Sequence, residues 1–362
     1  MMRDPHQNQN GVIVRFYRRL CYVLCGLISW SILSACSPAP EGLAHLIDYQ
    51  SRVASTLNRK PVEYQPSAVS QLPDIRELRT DYQRVSISLL DSWRINECAA
   101  GHLIAERNSA LGKLEQGLSR YHTDLRLVVA LQQCITLLSD DDPALAQRLS
   151  TALKQKRANL AALKQQAIAT DPALRHGLRI GAAPLRELNA QSLAQSLSAL
   201  ATIVQLVESP TDTSLSTSQL PSTAAVEQAL QTLHQSDYLP QLWRTLHTQQ
   251  HYLEQLAPLL VDLATAAGCD SPGTPERATI LHRVFLKFFI GQVQPQLAAT
   301  AAQGAAANQL LQQLNTAISN PKLERYITQL QGLSPKLTHT TKAHVKPWQD
   351  FFSQCGFEPG AQ

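Results

Sequence analysis

The chain has 362 residues, 44% of them hydrophobic, and carries 32 lysines and arginines against 28 aspartates and glutamates. Its length and apolar content allow a sizeable core. Residues 1–35 hold four of the basic residues and one acidic residue, so the rest of the chain is close to neutral. This balance argues against a nucleic-acid-binding protein and against attachment to an anionic surface by charge alone.

The N-terminal segment has the three parts of an export signal. Three arginines precede an apolar run at 20–32, and the small residues Ser34 and Ala35 follow it. Cys36 comes next and completes a lipobox. An uncleaved transmembrane helix is the alternative, but the run is shorter than the roughly 20 residues that span a bilayer. We predict a lipoprotein signal peptide at 1–35, exported by the Sec route, with lipid on Cys36.

The residue after the lipidated cysteine indicates the destination. Bacterial lipoproteins with aspartate at that position tend to stay in the inner membrane, whereas this chain has Ser37. Resemblance to the lipoprotein class therefore implies the periplasmic face of the outer membrane. Two or three acyl chains such as palmitate would make the attachment effectively permanent. Residues 36–42 are predicted to be a tether, and an envelope protein is a possible further partner.

Four cysteines remain beyond the signal and the lipobox. They are Cys98, Cys134, Cys269 and Cys355. An even number in the oxidising periplasm predicts two disulfides, with free buried thiols as the alternative. Four cysteines allow three connectivities. We choose Cys98–Cys134 and Cys269–Cys355, because each pair then closes a loop within one part of the chain.

The chain after the tether is predicted to be helical nearly throughout. Apolar residues recur at spacings of three and four, which is the helical period. A first helix is expected at 43–57, a proline-punctuated connection at 59–73 and a long helical stretch at 74–98. Helix starts are indicated where a capping residue precedes proline. These starts are Asp142-Pro143, Asp171-Pro172, Thr274-Pro275, Asn320-Pro321 and Ser334-Pro335.

A low-complexity segment at 209–223 divides the helical part of the chain. It separates a predicted N-terminal sub-bundle at 43–208 from a C-terminal sub-bundle at 224–362. The expected fold is therefore all-α, an elongated helical bundle of two sub-bundles, each with one disulfide. The alanine-rich residues 298–308 are predicted to form a helix with a break at Gly304.

One helix carries a possible metal-binding pattern. His247, His251 and Glu254 are spaced so that they share a helix face and could together hold Zn²⁺. A metal-dependent envelope hydrolase would follow. Thr248, however, stands where a zincin would have its catalytic glutamate. We prefer a solvated polar face and predict no metal, no cofactor and no catalytic residue.

A polar run at 106–113 is the second candidate site. If Cys98 pairs with Cys134, the run lies at the turn of a helical hairpin. Its candidate binding residues are Arg107, Asn108, Ser109 and Lys113. Arg107 could recognise the carboxylate or phosphate of a small ligand. The preferred alternative is structural, with Asn108 or Ser109 capping the next helix.

A basic helix face follows further along the chain. It is formed by Lys154, Lys156, Arg157 and Lys164. A solvated face is the expected explanation, and contact with phospholipid headgroups is the alternative.

Several motifs together carry a resemblance. They are the lipobox, E-R-N-S-x-L-G-K at 106–113, F-x-x-x-V-Q-P at 289–295, and the ending H-V-x-x-W-Q…Q-C-G-x-x-P-G at 344–360. The chain resembles an uncharacterised family of proteobacterial lipoproteins, the domain-of-unknown-function family numbered three thousand and eighty. The resemblance spans nearly the whole mature chain and implies no activity. We expect a non-catalytic binding, scaffold or envelope-assembly accessory protein.

Overall fold

The computed structural model describes residues 42–80, 94–270, 273 and 275–357. The predicted signal peptide, Cys36 and nearly all of the tether lie outside these residues. Within them the chain forms helices and no strands, which confirms the predicted all-α class. Residues 41–362 form one compact unit.

Seven helices precede the 209–223 segment in the described part of the chain. They are α1 (Ala44–Thr56), α2 (Ile75–Leu78), α3 (Ala99–Asn108), α4 (Gly117–Leu138), α5 (Pro143–Thr170), α6 (Pro172–Leu178) and α7 (Ala190–Glu208). The predicted continuous helix at 74–98 is wrong at its start. Helix α2 is a single turn, because Arg79 after it has an extended backbone with ψ of 138°. Residues 81–93 of that prediction lie outside the described residues.

The remaining helices follow a short 3₁₀ turn at Thr217–Gln219. They are α8 (Thr223–Gln235), α9 (Tyr238–Gln255), α10 (Leu263–Ala267), α11 (Glu276–Val284), a π-helix (Phe285–Val293), α12 (Gln294–Thr316), α13 (Pro321–Gln331) and α14 (Leu333–Gln354), with a second 3₁₀ turn at Ala257–Leu260. Helix α14 ends before Gly356, whose φ of +70° places it in the left-handed region. Glycine is the residue that most often takes this conformation just after the end of a helix.

Three of the predicted helix starts are confirmed. The side chains of Asp142, Asp171 and Asn320 each accept hydrogen bonds from backbone N–H groups of the following first turn. Asp171 also accepts one from the N–H of Leu118, at 3.0 Å. One buried carboxylate therefore caps both α6 and α4.

The other two predicted starts have a different outcome. Ser334 lies inside the first turn of α14, and its hydroxyl donates to the carbonyl of Ala301 at 2.7 Å instead of capping the helix. Thr274 lies outside the described residues, and Pro275 occupies the capping position of α11. Ser334 therefore joins α14 to α12.

Both predicted disulfides are present. Cys98–Cys134 links the start of α3 to α4, and Cys269–Cys355 links the end of α10 to the end of α14. Each pair lies on one side of the 209–223 segment, as predicted. Helices from both sides also pack on each other, for example α8 on α6 and α12 on α7. The boundary between two sub-bundles stays a prediction.

The first helix packs against the end of the chain. Tyr49 of α1 is fully buried, and its hydroxyl lies 3.0 Å from Nε2 of His344 in α14. Its ring contacts those of Phe289 and Trp348 at centroid distances of 5.3 and 6.2 Å. Burial raises the pKa of Tyr49 and lowers the pKa of His344 to about 4, so both side chains are neutral at pH 7.

Helix α7 is the one described helix with the length and apolar composition of a membrane span. A core helix of a globular protein meets the same criteria. Its residues Leu200, Ile203 and Val207 are buried against neighbouring helices, while Gln195 and Gln205 lie on its exposed side. This two-sided pattern is typical of a helix at the edge of a core.

The expected break at Gly304 is wrong, because α12 runs through this residue without interruption. A Cβ atom at Gly304 would lie 2.7 Å from Leu246 of α9 and 3.1 Å from Ser334 of α14. Glycine therefore stands here because three helices meet closely.

We expect Gly304→Ala to lower the free energy of unfolding by about 1–3 kcal/mol, through overpacking against Leu246. Gly291→Ala is the matched control. A Cβ atom there meets nothing closer than 3.6 Å, so we expect no loss and a gain of up to about 1 kcal/mol from helix propensity. Urea unfolding of both variants measures the difference. Equal stability of the two variants would contradict the close approach at Gly304.

Candidate functional site

The polar run at 106–113 lies at the turn between α3 and α4, at the end of the hairpin opposite the Cys98–Cys134 disulfide. The hydroxyl of Ser109 accepts a hydrogen bond from the N–H of Gly112 at 3.0 Å. The expectation that Asn108 or Ser109 caps the next helix is wrong, because α4 begins only at Gly117. Ser109 instead shapes the turn.

A buried carboxylate holds the hairpin together. Asp124 of α4 pairs with Arg107 at the end of α3 and with Arg120 one turn away, where Nε–Oδ2 is 3.2 Å. Lys156 of α5 completes the cluster, with Nζ 3.0 Å from Oδ1 of Asp124. One carboxylate thus joins three helices.

The position of Lys156 corrects the predicted solvated basic face. Its side chain is 7% exposed, and that of Asp124 is 8% exposed. The lysine lies between α5 and α4 because the carboxylate across the interface balances its charge. Sequence reasoning did not single out Asp124, although an aspartate among the apolar residues of α4, one turn after Arg120, could have indicated a buried partner.

Opposing effects set the pKa of Asp124. Burial raises it, and the positive charges of Lys156, Arg107 and Arg120 outweigh burial, so the pKa lies below the usual value. Burial also disfavours the charged form of Lys156, and it lowers the pKa of this lysine in spite of the nearby carboxylate. The negative charge of Asp124 and the positive charges around it therefore offset the cost of burying one another.

The guanidinium of Arg107 thus forms its ion pair within the protein, with Asp124. A ligand carboxylate or phosphate at Arg107 would compete with the buried Asp124. Asn108, Ser109 and Lys113 are exposed around the turn, and a binding role for these four residues stays a prediction. Leu111 and Leu114, in the same turn, are among the most exposed large apolar side chains of the described residues.

The histidine pattern on α9 lies beneath an extended segment at 59–74. Gln65 of that segment and Gln255 of α9 form a reciprocal pair: the backbone N–H of Gln65 donates to Oε1 at 3.0 Å, and Nε2 donates to its carbonyl at 2.7 Å. The hydroxyl of Tyr252 donates to the carbonyl of Val62 at 3.0 Å. The face that the sequence suggests is solvated is therefore partly covered, and Glu254 remains exposed.

Both histidines take part in this contact. Nε2 of His251 lies 3.1 Å from the carbonyl of Gln65, and Nε2 of His247 lies 3.4 Å from the hydroxyl of Ser67. Glu254 approaches His251 to 3.9 Å between Oε2 and Nδ1. Over the described residues, no group of three or more histidine, cysteine, aspartate and glutamate side chains is arranged to hold a metal ion.

Burial lowers the pKa of His247, and the positive charge of Arg244 lowers it further. A neutral imidazole at pH 7 fits its place under the extended segment. The chemistry that the arrangement supports at this face is hydrogen bonding to an extended backbone segment.

The fold and its two candidate sites define an all-helical, disulfide-bonded protein whose conspicuous polar side chains are engaged within the chain. The chain belongs to a family of proteins of unknown function: the model described as "Protein of unknown function (DUF3080)" matches residues 46–359. This match confirms the resemblance to that family of unknown function, and it begins after the lipobox. Comparison with curated proteins gives no match, and comparison with solved structures gives none.

We expect Asp124→Asn to lower the free energy of unfolding by about 3–5 kcal/mol, because Lys156 would remain buried without its counter-charge. Glu77→Gln is the matched control. It breaks the exposed pair with Lys322, and such pairs contribute about 0–1 kcal/mol. Urea unfolding at pH 7 compares the two variants with the unsubstituted protein. A loss at Asp124 no larger than that at Glu77 would contradict the role of the buried carboxylate.

The difference in the free energy of unfolding between the unsubstituted protein and Asp124→Asn depends on pH. The pKa of Asp124 is lower in the folded chain than in the unfolded chain, where it is about 3.9. The stability that ionised Asp124 contributes is therefore complete above about pH 4, and it is lost as the pH falls through the folded value. At pH 7 and below, the difference between the unsubstituted protein and Asp124→Asn should shrink only in that acidic range.

Substitutions on the histidine face can distinguish metal binding from packing against the extended segment at 59–74. At about 1 kcal/mol per hydrogen bond, we expect His251→Ala, which removes one bond to Gln65, to weaken the contact with residues 59–74 less than Gln255→Ala, which removes two. We expect both variants to leave zinc content unchanged. Hydrogen exchange of residues 62–67 and metal analysis measure the two effects. Bound zinc that is lost in His251→Ala and retained in Gln255→Ala would instead establish a metal site.

Proposed function

We propose that the protein is a lipid-anchored envelope protein of the periplasm that acts by binding rather than by catalysis. The observation that carries the proposal is the pairing of all four cysteines beyond the lipobox into two disulfides. Disulfides persist in oxidising compartments and are rare in the cytosol. They agree with the export signal and lipobox at 1–36.

The destination follows from the residue after the lipidated cysteine. Ser37 in place of aspartate favours transfer to the outer membrane, with the helical body facing the periplasm. Acyl chains on Cys36 would hold the protein there, because each buried CH₂ group contributes roughly 0.8 kcal/mol.

A role as a binding, scaffold or assembly accessory protein is supported by the two candidate sites. The groups that a catalytic site would need are occupied by contacts within the chain. Arg107 pairs with the buried Asp124, and His251 contacts the extended segment at Gln65. The exposed residues of the hairpin turn are left as the candidate contact for an envelope protein.

Two substitutions next to the lipobox test this proposal in a Gram-negative host. We expect Cys36→Ala to abolish the lipid and prevent maturation, and we expect Ser37→Asp to move the mature protein to the inner membrane. Membrane separation on a density gradient and mass analysis of the N-terminal peptide are the measurements. Ser37→Ala is the control and should remain in the outer membrane.

Two other outcomes would contradict parts of this proposal. An unmodified Cys36 with an intact N-terminal segment would favour the transmembrane alternative. A lipidated Ser37→Asp variant that stays in the outer membrane would overturn the sorting argument while leaving the anchor in place.

A further inference from the structure

Helix α11 and the π-helix after it present large apolar side chains to solvent. Leu286 and Ile290, about one turn apart, are 44% and 39% exposed, and Ile280 is 41% exposed. Three of the eight exposed large apolar side chains of the described residues thus fall within eleven consecutive positions. Apolar groups gathered in this way commonly mark an interaction surface.

The opposite side of the π-helix fixes this orientation. Phe285, Phe289 and Val293 are buried, and Phe289 contacts both Tyr49 and His344. Rotation of Leu286 and Ile290 into the core would expose these aromatic rings. A π-helix is also a rare conformation that is frequent at functional sites.

The predicted tether ends at Gly42, close to this surface. The carbonyl of Gly42 accepts hydrogen bonds from the side-chain amides of Gln249 and Gln296, each at 3.2 Å. Gln296 comes three residues after the end of the π-helix, and the helix rises only about 9 Å between Ile290 and Gln296. Gly42 comes six positions after Cys36, a span of at most about 20 Å. A lipid on Cys36 would therefore be held within about 20 Å of Gly42 by the length of the intervening chain.

The charges of the stretch favour one kind of partner. From Arg277 to Val293 the sequence has three basic residues and no acidic residue, and Arg283 and Lys287 are exposed beside the apolar side chains. Arg52 of α1 lies over the ring of Phe288 at 3.9 Å, and it also pairs with Asp48. Apolar side chains bordered by basic ones are typical of a helix that lies in the interface of an anionic bilayer.

We propose that Ile280, Leu286 and Ile290, with Arg283 and Lys287, form a membrane-contacting face that lies on the phospholipid leaflet holding the lipid of Cys36. The proposal rests on the proposed lipid anchor. The anchor brings the face to the bilayer, and the face fixes the orientation of the helical body, so that the hairpin turn at 106–113 has one defined position relative to the membrane.

Tryptophan quenching by brominated lipids tests this face in the full lipidated protein. The protein is reconstituted in vesicles of phosphatidylethanolamine and phosphatidylglycerol with brominated acyl chains. Ile290→Trp is the test variant. Leu137→Trp is the matched control, since Leu137 is 69% exposed on α4. We expect quenching of the introduced tryptophan, relative to the unsubstituted protein, to be at least about twofold greater at 290, because interfacial helices bury their apolar face among the acyl chains.

A second variant tests the charges. Arg283→Glu with Lys287→Glu, added to Ile290→Trp, should reduce its quenching to the level of Leu137→Trp. Equal quenching at 290 and 137 in the parent variants would overturn the membrane-contacting face. Crosslinking of two copies through position 290 in vesicles, without quenching, would overturn it in favour of an interface between copies.

Flotation of the vesicles separates this proposal from the one on which it rests. Protein that does not float with the vesicles, or that carries no lipid on Cys36, would contradict the anchor. Protein that floats and shows no quenching at 290 would contradict the face alone.

Discussion

The packing of Tyr49 among the aromatic rings of the π-helix and α14 holds the first described helix against the last one. The first helix contributes a buried phenol, and the last contributes His344 and Trp348, with a Tyr49–His344 separation of 3.0 Å. Loss of a buried aromatic side chain from such a core typically costs about 3–5 kcal/mol. The position of Gly42 depends on this contact, because α1 begins only two residues later.

The two candidate sites show why polar patterns in a sequence are ambiguous. Arg107 and the histidines of α9 have the residue types and spacing of recognition or metal chemistry. In the fold they meet Asp124 and the backbone at Gln65, which are distant in the sequence. Buried or covered polar groups require partners, and a protein often supplies them from its own chain. Function is then better sought on surfaces that the fold leaves uncovered, as at the π-helix.

Local features of this fold could be predicted, and features that depend on distant neighbours could not. Asp142, Asp171 and Asn320 cap helices with their own side chains, so their positions follow from a few residues. The disulfide pairing followed from compartment and chain order. Gly304 was misinterpreted because its neighbour Leu246 lies on another helix, and Lys156 because its counter-charge lies on α4. The packing of the extended segment on α9 could not be predicted, because residues 59–74 have no hydrophobic periodicity.

The 295 positions between Tyr49 and His344 have a consequence for biosynthesis. The N-terminal helix emerges first, and its docking partners are made almost last. At roughly 5–20 residues per second, the ribosome needs about 15–60 s to cover that interval. During this time the apolar face of α1 lacks its native partners on α14. Completion of the tertiary structure is therefore tied to the synthesis of α14, which supplies His344 and Trp348.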